Sequence, residues 1–88
     1  MRLDEPWQLS PAVALRPEPF GALAYHFGNR RLSFLKRTEL ADLVKGLGEH
    51  PSVEHALRAA GIRASDYGAY VSALQGLADT DMIRPRSD

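Results

Sequence analysis

The stretch Ala22-Leu23-Ala24-Tyr25-His26-Phe27-Gly28-Asn29-Arg30-Arg31-Leu32-Ser33-Phe34-Leu35 decides how this chain folds. Gly28-Asn29 separates two apolar runs, and both residues tolerate positive φ, so the segment reads as a β-hairpin with a two-residue loop. With that loop, Phe27 faces Arg30, Tyr25 faces Leu32 and Leu23 faces Phe34 on one side of the ribbon. On the other side His26 faces Arg31, Ala24 faces Ser33 and Ala22 faces Leu35. One face is large and apolar; the other is small or polar, Leu35 excepted. A slip of one residue would destroy this sorting. The expectation is a hairpin in this register, with its large apolar face covered by the rest of the chain.

Upstream, Val13 and Leu15 alternate with Ala14 and Arg16, a short strand pattern. Arg16-Pro17-Glu18-Pro19 should stop it, because proline removes ladder donors and restricts φ. Downstream, three helices are expected. Thr38 suits an N-cap, with Glu39 and Asp42 in the first turn and Leu40, Leu43, Val44 and Leu47 at helical spacing. Gly46 and Gly48 offer stops. Ser52 can cap a second helix whose face is Val53, Ala56, Leu57 and Ala60. Gly61 suits the left-handed position after it, with Ile62 as the hydrophobic partner of a Schellman ending. A third helix should start near Ser65 or Asp66 and carry the stripe Tyr67, Tyr70, Val71, Leu74 and Leu77. Met82-Ile83 would close the domain, leaving Arg84 to Asp88 as a loose tail. The predicted class is α+β: a three-stranded antiparallel sheet followed by three helices, βββααα, with winged-helix-like element content.

Length and composition set the limits. Eighty-eight residues make one domain, 1–88, with an ordered core of about 7–83. A chain of this size buries only roughly 60–65% of its unfolded surface, which leaves little room for an enclosed active site. It is 44% hydrophobic and 25% charged, a globular composition. There is no cysteine, so disulfides, thiolate metal sites and cysteine nucleophiles are excluded. The polar N-terminus lacks the apolar core of a signal peptide, and no apolar run approaches a membrane span, so a cytoplasmic location is expected. Residues 1–37 hold six basic and three acidic side chains, and residues 38–88 hold five and eight. The neutral total argues against strong nonspecific nucleic-acid binding.

No catalytic or cofactor motif is present. His50 and His55 are five residues apart, which would place them on different sides of a helix, and His26 lies on a strand. There is no zinc-ligand spacing, no phosphate loop and no nucleophile elbow. The informative segment is Arg30-Arg31-Leu32-Ser33-Phe34-Leu35-Lys36-Arg37, four cations around an apolar centre. It reads as an edge strand protected by charge, or as an edge on which another strand docks, with its cations attracting an acidic one. The two readings are compatible, since a protected edge stays available. The Tyr67-Tyr70-Val71-Leu74 stripe is core packing, or at its margin the wall of a groove beside that edge.

Three short strands followed by three helices resembles the PqqD-like precursor-peptide recognition domains. The stretches Trp7 to Tyr25, above all Arg16-Pro17-Glu18-Pro19-Phe20-Gly21-Ala22-Leu23, and Asn29 to Leu35 resemble, more narrowly, the mycofactocin peptide chaperones. The resemblance covers about residues 7 to 83. It implies a non-enzymatic domain with no cofactor that binds the leader of a ribosomally made precursor peptide as an added antiparallel strand. A radical S-adenosylmethionine (SAM) maturase would then modify the peptide. By position, the resemblance puts the receiving strand at Arg31 to Leu35 and the groove wall at Tyr67, Tyr70, Val71 and Leu74. An acidic leader would suit Arg30, Arg31, Lys36 and Arg37.

Two other functions share the element content. A winged-helix DNA-binding domain needs basic or amide side chains on its recognition helix, yet Ala64 to Ile83 holds no Lys or Arg and three aspartates. A homodimer could pair two copies of the same edge strand across a twofold axis. The expected state is therefore a monomer or an edge-paired dimer.

Overall fold

The computed structural model of the protein describes residues 1–86. Strands β1 (Trp7–Leu9), β2 (Val13–Glu18), β3 (Gly21–His26) and β4 (Leu32–Leu35) precede helices α1 (Thr38–Gly46), α2 (Val53–Ala59) and α3 (Tyr67–Asp79). A final strand, β5 (Ile83–Pro85), follows them. The expected antiparallel three-stranded sheet is present in the order β2-β3-β4, but it is not alone. β1 and β5 form a second, two-stranded sheet, pairing Trp7 with Pro85, Gln8 with Arg84 and Leu9 with Ile83. Neither strand shows the length or alternation that marks a strand in sequence. They exist because the end of α3 returns the chain to the N-terminal segment. The segment Arg84 to Arg86, expected to be loose, is therefore held. Arg86 donates its backbone N–H to Pro6 O and its guanidinium to Gly48 O and His50 O. Ser87 and Asp88, the rest of that expected tail, lie outside the described residues.

The hairpin forms in the expected register, with Ala22 opposite Leu35, Leu23 opposite Phe34, Ala24 opposite Ser33 and Tyr25 opposite Leu32. Two details differ. The loop is wider than Gly28-Asn29: Arg30 N–H reaches back to His26 O, and Arg30, not Gly28 or Asn29, takes the positive φ of 63°. The His26 ring organises this turn, since its Nδ1 accepts the N–H groups of both Gly28 and Asn29. Strand β2 also runs through Pro17 to Glu18 instead of stopping before it. Phe27 N–H bonds to Ala12 O, so the alternation of an antiparallel ladder places Pro17 at a non-hydrogen-bonded site. Its missing donor then faces the open side of an edge strand, where no ladder bond is lost.

The covered face is the reverse of the expected one. Val13, Ala22, Ala24, His26 and Leu35 are buried beneath the helices, whereas Phe27, Leu32 and Phe34 are 64%, 55% and 61% exposed. The physical reason is volume. The helices bring Leu43, Val44, Leu47, Leu57, Leu74 and Leu77 to the core, and α1 packs directly on β3. Alanines at 22 and 24 let it come close; a Leu23 or Tyr25 turned inward would push it away.

The helices follow their end signals. Ser52 caps α2, its side chain accepting His55 N–H at 3.1 Å. Gly61 has φ 77°, Gly61 N–H bonds to Arg58 O and Ile62 N–H to Leu57 O, which completes the Schellman ending. Thr38 is the first residue of α1; the cap position belongs to Arg37. A 3₁₀ turn, Ala64–Asp66, leads into α3. At the N-terminus, the Glu5 carboxylate lies below its usual pKa because it accepts Arg2 N–H and then Trp7 Nε1–H. Among the described residues, no helix is long and apolar enough to cross a membrane.

Candidate functional site: the outer edge of β4

β4 is an edge strand: among the described residues it is hydrogen-bonded to β3 alone. His26 N–H bonds to Arg31 O, so alternation makes Ser33 and Leu35 the residues whose backbone groups pair with β3. The N–H and C=O groups of Leu32 and Phe34 then point away from the sheet, toward open space. Gly21 helps to hold the strand's end. At φ 149° it passes so close beneath that a Cβ there would lie 2.1 Å from Leu35 O and 2.9 Å from Arg37 O. The Arg16-to-Leu23 string that carries the resemblance contains this contact.

Beside the open edge lies a cleft of about 320 Å³, lined by Phe34, Lys36, Arg37, Leu40, Ala69, Tyr70 and Ala73. β4 and the start of α1 form one wall, and α3 forms the other. Two contacts tie the walls together at the far end of α3. Asp81 occupies the left-handed position that ends the helix (φ 60°), where glycine is usual. Its carboxylate lies 2.9 Å from His26 Nε2. Because Nδ1 of that ring accepts two N–H groups, Nε2 carries the proton and donates it to Asp81. Asn29 Nδ2 donates to Thr80 O at 3.1 Å. The hairpin turn is thus tied to the end of α3, which sets the spacing between strand and helix.

The residues singled out in the sequence fall into three groups. Phe34, Lys36, Arg37 and Tyr70 meet at the cleft. Arg30 and Arg31, which lie ahead of β4 and not on it, are exposed; within β4 Leu32 is exposed and Ser33 half-buried. None of Arg30, Arg31, Lys36 and Arg37 has an ion-pair partner among the described residues. The third group lies inward: Leu35 is 2% exposed, Leu74 is wholly buried, and Tyr67 and Val71 pack half-buried against the core. The helix wall is instead Ala69, Tyr70 and Ala73. An apolar stripe in the sequence is defined by its large side chains, so the two alanines do not stand out there. Their signal was two small residues, i and i+4, flanking the buried stripe. Leu40, at helical spacing in α1, also reaches the cleft.

The histidines correct another expectation. His50 lies in the loop ahead of α2, not on a shared helix, so it folds back onto His55, with Nδ1 atoms 3.0 Å apart. Among the described residues, no group of three or more His, Asp or Glu side chains could hold a metal ion.

Comparison with known proteins agrees with the resemblance. Residues 6–84 match the model of the peptide chaperone MftB family. The chain is 49% identical over 83 residues to a protein of Mycobacterium ulcerans named peptide chaperone MftB, covering 94% of this chain and 76% of that protein. It is 48% identical, over the same shares, to the Mycobacterium tuberculosis protein of that name. The Mycolicibacterium smegmatis protein is 46% identical over 93% of this chain and 80% of its own length. No solved structure matches significantly. These relatives are named as chaperones, a non-catalytic role. With a family match across nearly its whole length and relatives close to half identical, the chain belongs to the peptide chaperone MftB family.

Proposed function

We propose that this chain is a peptide chaperone of mycofactocin-type redox-cofactor biosynthesis. It binds the leader of a ribosomally made precursor as a fourth strand on β4 and presents it to a radical SAM maturase. The observation that carries this reading is the open outer edge of β4 beside a cleft lined by Phe34, Leu40, Ala69, Tyr70 and Ala73. Backbone groups of Leu32 and Phe34 supply the ladder, and apolar guest side chains enter the cleft against α3. The four cations around the strand favour an acidic leader and hasten its encounter. The same cations disfavour an edge-paired homodimer, since two copies would bring like charges together.

Calorimetric titration with the leader peptide tests the reading. Leu32→Pro removes an outward N–H and leaves the bonds to β3 in place, so affinity should fall at least about tenfold while far-UV circular dichroism stays native. Phe34→Pro should do the same. An unchanged affinity in a folded Leu32→Pro protein would rule out strand addition at this edge.

A further inference from the structure

All three phenylalanines of the chain lie outside the core: Phe20, Phe27 and Phe34 are 41%, 64% and 61% exposed. They belong to one surface, the outer face of the β2-β3-β4 sheet. Phe20 and Phe34 touch, with ring centroids 6.1 Å apart. Phe34 stands opposite Leu23, and Leu32 opposite Tyr25. Tyr25 and Phe27 meet edge to face at 4.9 Å. Contiguous exposed aromatic and aliphatic surface of this kind marks a contact site in soluble proteins, and aromatic side chains dominate binding energy at such sites.

The peptide edge does not account for this surface. A strand added to β4 would lie roughly 5 Å beyond it, and β3 lies roughly 5 Å to the other side. Such a guest covers the edge and reaches Phe34, but Leu23, Tyr25 and Phe27 sit about two strand spacings away. The occupant must be broader than one strand, hence a folded surface. The charge at its margin describes that surface further. Arg30 and Lys36 are exposed and have no ion-pair partner among the described residues, while the Glu18 carboxylate on this face is already paired with Arg16 at 3.1 Å. A second copy of the chain would set cations against cations.

We propose that the outer face of the β2-β3-β4 sheet is a second docking surface, for a folded protein whose contact patch is apolar with carboxylates at its rim. The probe is the radical SAM maturase, and that choice rests on the function proposed above. Phe27→Glu and the conservative Phe27→Leu are compared with the unaltered chain by calorimetry, against leader peptide and against maturase, at two salt concentrations. Phe27 is mostly exposed and lies outside the peptide cleft, so both variants should fold and bind leader within about twofold of the parent. Phe27→Glu should weaken maturase binding at least about tenfold, Phe27→Leu should largely restore it, and added salt should weaken it in the parent. Equal maturase affinity for Phe27→Glu and parent would overturn the proposal. So would a complex that never forms with the parent chain, an equal loss of leader binding, or a parent dimer in sedimentation that Phe27→Glu dissolves. Failure of leader binding in the parent would instead strike the peptide-chaperone reading itself.

Discussion

Single residues hold the site in place here by what they leave out or accept. Gly21 is the clearest case. Its φ of 149° and the closeness of Leu35 O and Arg37 O exclude any side chain. Gly21→Ala should destabilise the fold by at least about 2 kcal/mol in urea unfolding, because backbone atoms, not a side-chain tip, must move aside. Gly76 provides the contrast. It sits within α3 with open space around it, so Gly76→Ala should stabilise by about 0.5–1 kcal/mol. If both variants shift stability alike, the close approach of Gly21 to the end of β4 is not what constrains it. His26 acts by accepting at one ring nitrogen and donating from the other. Its Nδ1 closes the hairpin turn and its Nε2 grips Asp81, so one buried ring joins a loop to a helix end.

Among the elements, β4 and α3 divide the work. β4 offers polar backbone on one side and apolar side chains on its outer face; α3 offers a shallow wall of small residues and keeps Leu74 and Leu77 for the core. The basic frame belongs to the strand and its two ends. Reversing Arg31 and Arg37 together to Glu should lower affinity for an acidic leader about tenfold and flatten its dependence on salt, with melting temperature little changed. Calorimetry at low and moderate ionic strength measures both; an unaltered salt slope would dismiss electrostatic attraction as the role of this frame. Ala64 to Ile83 holds no Lys or Arg, so α3 presents no side-chain cation to a phosphate backbone.

Across the whole chain, the contacts that join the two sheets should make them unfold as one cooperative unit. β1 and β5 join the first ordered strand to the last, and Met1, Leu3 and Glu5 are tied by hydrogen bonds to α3 and the start of α2. Trp7, the single tryptophan, sits in β1. Its fluorescence and far-UV circular dichroism should therefore report the same urea midpoint. A Trp7 transition that precedes the loss of helix would mean that the terminal sheet unfolds on its own.

The sequence by itself determined what depends on near neighbours. The hairpin register follows from alternation over a dozen residues, and the ends of α2 follow from Ser52, Gly61 and Ile62. Each of these choices is settled within one turn or one strand pair. The edge position of β4 was legible in the same way, from its cations. Tertiary structure decided the rest, because it turns on contacts between distant segments. Which face of the sheet is covered depends on the volume that α1 and α3 bring to it, and alanines at 22 and 24 fit that volume where larger side chains would not. The β1–β5 pair exists only once α3 has carried Ile83 back to Leu9. The alanines of the cleft became part of a site only when the tie between Asp81 and His26 set α3 beside β4.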